Sequence, residues 1–416
     1  MSTWLLPRSD LTPEQLRGVQ LPWDEHKLIL GLPGSGKTQV LIHRADYLRE
    51  RLKTQLGKFR VFIFTNVLRD YIRSGLELLN LPLDSVCTFD HFCVEFYQRH
   101  ISRNPPWKSE ERTYDFLKIR EAVLACLSSR ADLSLSLDFA LVDEGQDLTP
   151  ESFTILKYLA RHVTVFADHL QQIYEKGSDE GTILYQLGIT RQHLTLLGAY
   201  RNSPDVAQLA AYFIPDEERR RQYLSQIRAG QVERERPLLF IPKTMDEEMD
   251  RLAEITRQRQ FKNQRIGIIV PMRKQVYGLA DGLAERGVAV EKAISGPYKT
   301  RVGGTTNVRF DNMTPKIVSY HSAKGLTFDC VLLPRLTEGS FQRFDLQIRQ
   351  RLLFVGIARA MCWVYLSTVE GNESRECLLL KKAAENNHLI IQNSSSPSSF
   401  KPSGKEGKEE EEYSAL

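Results

Sequence analysis

The stretch "GLPGSGKT" at residues 31–38 constrains this chain more than any other part of its sequence. The apolar run "KLILG" ends in it, and apolar residues at helical spacing follow it, among them Leu41 and Leu48. A glycine-rich turn between a strand and a helix lets backbone N–H groups converge on phosphate oxygens at the positive end of the helix. The pattern therefore predicts a nucleotide triphosphate site, in which Lys37 reaches the β- and γ-phosphates and Thr38 holds Mg²⁺.

Short apolar runs alternate with helical patterns in two series. The first series of predicted strands lies at residues 60–66, 85–90, 137–147 and 162–169, and the second at 265–271, 314–325, 330–336 and 362–369. A helix closed by Gly287 is predicted at residues 275–287. Such alternation indicates parallel sheets with crossover helices. We therefore predict an α/β protein with two parallel-sheet domains, at residues 1–190 and 191–392.

Composition agrees with two globular domains and a polar end. The 416 residues are 42% hydrophobic and 26% charged, with a formal net charge of +4. Residues 393–416 contain three Lys and five Glu, so the preceding part carries +6, a modest excess that fits a polyanionic partner. This Ser-, Pro- and Glu-rich end has few apolar residues, so we predict a disordered, solvated tail.

Cysteine usage and the N-terminus favour a cytoplasmic protein. None of the six Cys residues forms a Cys-x-x-Cys pair, and neither a zinc site nor a disulfide framework is visible. Pro7 and Asp10 come too early for the core of a signal peptide, and no apolar run is long enough to span a bilayer.

Two adjacent acids end the apolar run "LDFALVDEGQD". Asp143 is placed to hold the water shell of Mg²⁺, and Glu144 to orient and deprotonate an attacking water. Asp147 is expected to serve orientation or helix capping. Phosphoryl transfer also spreads negative charge that an inserted Arg can stabilise, and the second half offers Arg201 in "GAYRNSPD" and Arg359 in "RLLFVGIARAM".

Taken in order, these motifs resemble those of the UvrD/Rep-type superfamily 1 helicases over most of residues 10–370. "LTPEQ", "GLPGSGKT", "FTN", "TFDHF", "LVDEGQD", "ADHLQQIY", "LTLLGAYRNSPDVAQLA", "YHSAKGLTFDCVLLP" and "RLLFVGIARA" each resemble a family motif. The resemblance implies two RecA-like domains of the P-loop NTPase type with ATP and Mg²⁺ between them. It also implies 3′-to-5′ movement on single-stranded DNA.

The resemblance implies a role for each matched residue. Those expected to act in hydrolysis are Glu144, Gln171, Arg201 and the arginine finger Arg359. Those expected to bind the nucleotide are Gln15, which reads adenine, Gly31, Gly34, Ser35, Gly36, Lys37, Thr38 and Tyr200, which stacks on adenine. Thr38 and Asp143 are expected to hold Mg²⁺. Those expected to contact the strand are Phe64, Thr65, Asn66, Thr88, Phe89, Tyr174 and His321.

The chain also departs from the family pattern. Glu175 and Lys176 follow Tyr174 where the family commonly has Arg-Trp, so one stacking platform is missing. Thr327 stands where Glu is usual, and Ala358 where Thr is common. The segments that carry the family's duplex-gripping insertions are short here.

Three functions fit these features. The first is an ATP-dependent translocase or helicase acting on single-stranded DNA, with RNA left open. The second is an ATP-binding nucleic-acid sensor that signals a protein partner without unwinding. The third is a P-loop kinase or GTPase-like switch, which requires neither "HSAKG" nor arginines in the second half.

Overall fold

The computed structural model describes residues 5–76, 79–110, 113–168, 177–196, 202–227, 235–294, 308, 310 and 312–394. Within these ranges the chain forms two parallel sheets with helices on both faces, and a short antiparallel hairpin lies beside the first sheet. This architecture confirms the predicted α/β class with two RecA-like domains. The predicted disordered tail begins at residue 393, and its residues 395–416 lie outside the described part.

The first sheet has the strand order β3-β2-β6-β7-β1-β8, and all its neighbours pair in parallel. The strands of this half are β1 Lys27–Gly31, β2 Phe59–Ile63, β3 Val86–Thr88, β4 Trp107–Lys108, β5 Thr113–Tyr114, β6 Leu137–Val142, β7 Ala160–Ala167 and β8 Leu194–Leu196. The helices are α1 Pro13–Gln20, α2 Lys37–Leu52, α3 Asn66–Leu76, α4 Phe89–His100, α5 Phe116–Ser129, α6 Pro150–Leu159 and α7 Glu180–Leu187. Strands β4 and β5 form the hairpin.

The strands of the first sheet are buried on both faces. Alternate residues of one strand therefore enter different cores: Ile29 packs on the side of α2 and α3, whereas Leu28 and Leu30 pack on the side of α4 to α7. The order β6-β7-β1 brings the carboxyl ends of three strands together beside the start of α2. In parallel α/β sheets this edge is where ligands bind.

The second sheet has the order β11-β12-β10-β13-β14-β9-β15, again parallel throughout. Its strands are β9 Leu238–Ile241, β10 Ile266–Val270, β11 Glu291–Lys292, β12 Lys316–Ser319, β13 Phe328–Leu333, β14 Ala360–Ser367 and β15 Ile390–Asn393. The helices are α8 Pro204–Ala211, α9 Glu217–Ser225, α10 Met245–Phe261, α11 Arg273–Glu285, α12 Tyr320–Ala323, α13 Glu338–Phe341, α14 Leu346–Ile357 and α15 Cys377–Glu385.

The two halves share one apolar core. Leu68 and Tyr71 of α3 belong to the same buried cluster as Ala323 and Leu326 of the second half. The ring of Tyr71 also meets that of Phe310 edge to face, with 5.3 Å between centroids. The carboxyl edges of the two sheets are therefore held against each other by apolar packing.

Strand β8 is one element that the sequence pattern missed. Leu194–Leu196 pairs with β1 at the edge of the first sheet, so this sheet extends past residue 190, where the sequence placed the end of the first domain. We propose that the passage between the domains lies after Leu196. Among the described residues, no helix combines the length and apolar content needed to cross a bilayer.

Candidate nucleotide site

The glycine-rich loop connects β1 to α2 through two left-handed residues. Gly34 has φ 85° and Gly36 has φ 86°, conformations in which a side chain is strained. Space is also limiting, because a Cβ on Gly31 would lie 2.5 Å from Ser35 Oγ and one on Gly36 would lie 2.3 Å from Gln15 Nε2. The glycines thus allow a tight turn between β1 and α2 that a side chain at these positions would disturb.

Lys37 folds back over this loop. Its Nζ lies 2.8 Å from the carbonyl oxygen of Gly31, 3.0 Å from that of Leu32 and 3.1 Å from Asp168 Oδ2. Asp168 directly follows β7, which is the neighbour of β1 in the sheet. The Lys37 ammonium group is therefore paired with a buried carboxylate and two backbone carbonyl oxygens of the loop.

Thr38 and Asp143 meet on the other side of the loop. Thr38 Oγ1 donates to Asp143 Oδ2 at 3.1 Å, and Asp143 Oδ1 accepts from the backbone N–H of Glu144 at 3.0 Å. A hydroxyl and a carboxylate are the oxygen donors that Mg²⁺ takes from proteins, which usually supply one or two ligands while phosphate and water supply the rest. The described residues contain no group of three or more His, Cys, Asp or Glu that could hold a metal. The donor set fits a Mg²⁺ ion that is shared with a nucleotide.

Two residues of the second half lie beside the glycine-rich loop. Gly325 and Arg359 line a cavity of about 10 Å³ together with Pro33, Gly34, Gly36, Lys37, Thr38 and Glu144. Arg359 is 1% exposed, and its Nε donates to the carbonyl oxygen of Val355 at 3.1 Å. Such a cavity has room for about one water molecule. Lys37 and Arg359 therefore line one narrow cavity from opposite halves.

Buried charges give the neighbouring acids different pKa values. Burial, followed by repulsion from Glu144, raises the pKa of Asp143 to about 6. Burial by itself also raises the pKa of Glu144, but three cations act against it and the net effect lowers the pKa. In order of strength these cations are Lys324, Lys37 and Arg359. Glu144 is thus held as a carboxylate by charges from both halves.

Lys324 connects the two halves directly. Its Nζ lies 2.5 Å from Asp147 Oδ2 and 3.9 Å from Glu144 Oε2. Burial raises the pKa of Asp147 to about 7, although the charge of Lys324 opposes this rise. Asp147 and Lys324 thus form a hydrogen-bonded contact across the cleft, which becomes an ion pair above the raised pKa of Asp147 and which the sequence did not predict.

Gln146 links two strand ends. Its Nε2 donates to Glu144 Oε2 at 2.6 Å, and its Oε1 accepts from the backbone N–H of Asp168 at 2.9 Å. The position of Glu144 is thereby connected to the residue that pairs with Lys37. Gln146 and Asp168 were missed as site residues because their proximity depends on the order of the strands, which no local pattern gives.

Comparison with known protein families agrees with this geometry. Residues 11–138 match the UvrD/REP helicase N-terminal domain, and residues 316–367 match the UvrD-like helicase C-terminal domain. These two segments are therefore similar to the two domains of the UvrD-type helicases. The first match ends just inside β6, and the second extends from β12 to the end of β14, so each half of the chain has a matched part.

A solved structure and the curated proteins complete the comparison. The C-terminal domain of a possible DNA helicase from Lactobacillus plantarum WCFS1 is 16% identical, with a TM-score of 0.33, and the alignment covers 47% of this chain and 99% of that one. No curated protein matches the chain.

The residues expected to contact a nucleic-acid strand lie at the starts of helices. Thr65 Oγ1 accepts from the N–H of Leu68 at the start of α3, and Thr88 Oγ1 accepts from that of His91 in α4. Asn66 is the first residue of α3, and Phe64, just before it, is half-buried. The two threonine hydroxyls therefore cap helices, and Thr88 is 5% exposed.

Phe89 is buried in the core, contrary to its predicted role in strand binding. It is 2% exposed, and its ring meets that of Phe62 edge to face at 5.5 Å within the core of the first half. A base cannot stack on a ring whose faces are covered by other side chains, so the prediction that Phe89 is a stacking platform is wrong for this structure. The aromatic residue packs inward because it starts a helix whose apolar face covers the sheet.

His321 lies at the joint between the halves. It belongs to α12, and its ring centroid is 6.0 Å from that of Phe344. Burial, and secondarily the charge of Lys324, lowers its pKa, so the imidazole is neutral at physiological pH. The remaining predicted site residues, Gln171, Tyr174, Tyr200 and Arg201, lie outside the described residues.

Proposed function

We propose that this chain is an ATP-driven translocase or helicase that moves along single-stranded nucleic acid, specifically DNA, in the 3′-to-5′ direction. The observation that carries the proposal is the cavity that Lys37 and Arg359 share although they belong to different halves. A pocket completed by a second domain couples the state of its ligand to the separation of the domains. Such coupling is the requirement for movement along a polymer.

The proposed chemistry assigns a task to each group of residues. When bound, ATP supplies the phosphoryl group and Mg²⁺ reduces the negative charge of its phosphates. The backbone of Gly31, Gly34, Ser35 and Gly36 would bind phosphate oxygens, with Lys37 at the β- and γ-positions. Thr38 and Asp143 would hold the ion. Glu144 would orient the attacking water and accept its proton, and Arg359 would stabilise the charge on the transferred group.

Loading of the pocket requires two movements of the protein. The cavity of about 10 Å³ is much smaller than a triphosphate, so the halves have to separate there. Lys37 also has to leave Asp168. Closure around the ligand then restores the approach of Arg359, and loss of the γ-phosphate removes a contact that both halves share.

A strand would lie across the carboxyl edges of both sheets. Phe64, Thr65, Asn66 and Thr88 of the first half and His321 of the second half are the proposed contacts among the described residues. Aromatic stacking contributes roughly 1–3 kcal/mol per base without sequence preference, and contacts to phosphates set the position of the strand. Gln171, Tyr174, Tyr200 and Arg201 keep the roles that the resemblance implies, as proposals.

The decisive experiment measures ATP turnover with and without single-stranded DNA or RNA. We expect single-stranded DNA to stimulate turnover, Lys37→Ala to abolish nucleotide binding, and Arg359→Ala to reduce turnover by about 10³-fold while nucleotide affinity is retained. Arg259→Ala is the matched control, because Arg259 is also buried in the second half but pairs with Glu235, away from the cavity. A turnover rate that neither polymer changes would instead support the switch.

One observation keeps the sensor function as the second candidate. Between α4 and α5 the chain has only residues 101–115, which contain the β4–β5 hairpin, a connection too short for a separate duplex-gripping subdomain. A labelled duplex with a single-stranded tail distinguishes the two candidates. Strand release supports the helicase, whereas stimulated turnover without release supports the sensor or a translocase that does not unwind.

A further inference from the structure

Arg44 of α2 is a buried cation whose partners in the described part of the chain include no carboxylate. It is 0% exposed, and its Nε donates to Thr164 Oγ1 of β7 at 2.9 Å. Its Nη2 lies 3.0 Å from His162 Nε2, also in β7. The other contacts are with backbone carbonyl oxygens at and after the end of α1, namely Gly18 at 3.4 Å, Val19 at 3.0 Å, Leu21 at 2.8 Å and Pro22 at 3.5 Å.

Every one of these partners is neutral. Burial lowers the pKa of Arg44 to about 10, so the guanidinium group stays charged at physiological pH. Burial, followed by the charge of Arg44, lowers the pKa of His162 to about 3, so this imidazole stays neutral and accepts a hydrogen bond. A buried cation is costly, and only the forked guanidinium can join several carbonyls to a strand at once.

Arg44 binds carbonyl oxygens in the last turn of α1 and in the two residues that follow it. The last four carbonyls of a helix have no N–H partner within the helix. The last carbonyls of a helix carry the negative end of its dipole, which a cation stabilises. Close packing fixes the same end, because a Cβ on Gly18 would lie 2.9 Å from Val40 Cγ1 of α2. The C-terminus of α1 is therefore fixed to both α2 and β7.

The opposite end of α1 carries Gln15. Its Oε1 accepts from the N–H of Thr12 and its Nε2 donates to the carbonyl oxygen of Ser35, both at 3.0 Å. Gln15 therefore touches the glycine-rich loop only as long as α1 keeps its place. An eight-residue helix is too short to hold a position by itself.

We infer that Arg44 is a positioning residue for nucleobase recognition: it fixes the C-terminus of α1 to β7 and thereby holds Gln15 against the glycine-rich loop. The inference rests on the proposed function, in which Gln15 faces the adenine of ATP. Loss of Arg44 frees α1 and weakens the selection of adenine, whereas Lys37 and the phosphate cradle remain in place. The expected effect is thus on the choice of base, which a general loss of stability does not alter.

The test measures equilibrium binding of fluorescent ATP and GTP analogues well below the melting midpoint of each variant. We expect the wild type to prefer ATP, and Gln15→Ala and Arg44→Met each to lower the ATP-to-GTP affinity ratio by about tenfold, the scale of one lost hydrogen bond. The double variant should be no worse than either single variant, because both act on one contact. Arg44→Lys keeps the positive charge but lacks the several N–H donors of the guanidinium group, so it should also lower the ATP-to-GTP affinity ratio. This variant replaces Arg44→Met in the test if Arg44→Met does not fold.

Arg259→Met is the control, since it removes a buried arginine whose partners Glu235 and Trp363 belong to the second half, and it should leave the ratio unchanged. The inference is wrong if the wild type shows no preference for ATP over GTP. It is also wrong if the Arg44 variants keep the wild-type ATP-to-GTP affinity ratio, either with unchanged affinities or with an equal loss of affinity for both nucleotides. Additive effects of Gln15→Ala and Arg44→Met in the double variant would contradict it as well. The variant Lys37→Ala distinguishes failure of the Arg44 inference from failure of the proposed function. If Lys37→Ala binds nucleotide like the wild type, the nucleotide site itself is wrong. If it loses binding while Arg44→Met keeps the ratio, only the role of Arg44 is wrong.

Discussion

Lys324 Nζ and Asp147 Oδ2 lie 2.5 Å apart across the two halves of the chain, with both side chains buried. Above the pKa of Asp147, removing Lys324 leaves a buried carboxylate without its partner, which costs up to about 3–5 kcal/mol. Lys324 also lowers the pKa of Glu144, so this pair connects the contact between the halves to the proposed catalytic base.

At a pH above the pKa of Asp147, Lys324→Met is therefore expected to lower the free energy of unfolding by up to about 3–5 kcal/mol, and Lys324→Met combined with Asp147→Leu to recover most of that loss. Urea unfolding followed by circular dichroism measures both. Lys381→Met, at an exposed position, is the control and should change stability by less than about 0.5 kcal/mol. Equal stability of the single and double variants would show that the charges do not interact.

Asp147 should make stability depend on pH. Folding raises its pKa from 3.8 to about 7, so between these values the native chain holds a proton that the unfolded chain has released. The contribution of Asp147 to stability is therefore complete below pH 3.8 and is lost as the pH rises through 7. Asp147→Asn should remove this slope, and the difference between its unfolding midpoint and that of the wild type should change between pH 5 and pH 8. Parallel pH profiles would contradict the assignment.

Asp168 should compete with phosphate for Lys37. The pair is buried, with 7% of the Lys37 side chain and 1% of the Asp168 side chain exposed, and it has to break before a triphosphate reaches the ammonium group. Asp168→Asn is expected to tighten binding of a non-hydrolysable ATP analogue by about three- to tenfold, because a larger fraction of the protein is ready to bind. Titration calorimetry measures this affinity. Asp138→Asn, at the other end of the neighbouring strand β6, is the control, and weaker binding by Asp168→Asn would argue against competition.

Gly325 sets how closely the halves approach. It has φ 82°, and an added Cβ would lie 2.7 Å from Leu68 Cδ1 of the first half. Gly325→Ala should push the halves apart and reduce ATP turnover by at least tenfold with little change in ADP affinity. Adding Leu68→Ala should restore part of the activity, since it removes the clash but not the backbone strain. No recovery in the double variant would mean that strain alone causes the loss.

Phe64 and Phe89 should respond differently to truncation. Phe89→Leu, in the core, is expected to lower stability by about 1 kcal/mol and to leave the affinity for single-stranded DNA unchanged. Phe64→Leu, at a half-buried position beside the predicted strand path, should weaken this affinity by about five- to tenfold. Fluorescence anisotropy with a labelled oligonucleotide measures both variants. A weaker affinity for Phe89→Leu alone would restore the original prediction.

Local chemistry in the sequence is sufficient to predict the glycine-rich loop and its surroundings. The strand Lys27–Gly31 and the helix that begins at Lys37 lie where the apolar run and the helical spacing predict them. Asp143 and Glu144 likewise follow the end of β6. These features depend on neighbours in the chain, which a sequence displays directly.

Features that depend on distant parts of the chain could not be predicted in this way. Asp168 reaches Lys37 because β7 lies next to β1, and a pattern of apolar runs contains no strand order. The pairing of Lys324 with Asp147 depends on how the two halves meet. Strands as short as Leu194–Leu196 have too few residues to show a period of two. Phe89 follows a buried three-residue strand, where aromatic residues that face a core and those that face a ligand look the same in sequence.

The apolar core that Leu68 and Tyr71 share with Ala323 and Leu326 gives cleft opening a thermal signature. Separation of the halves brings water onto these side chains, and hydration of apolar surface raises the heat capacity. If the proposed opening and closing occurs, warming or cooling the protein should shift the balance between the two forms along a curve, and the rate of the proposed ATP-driven cycle should curve with it.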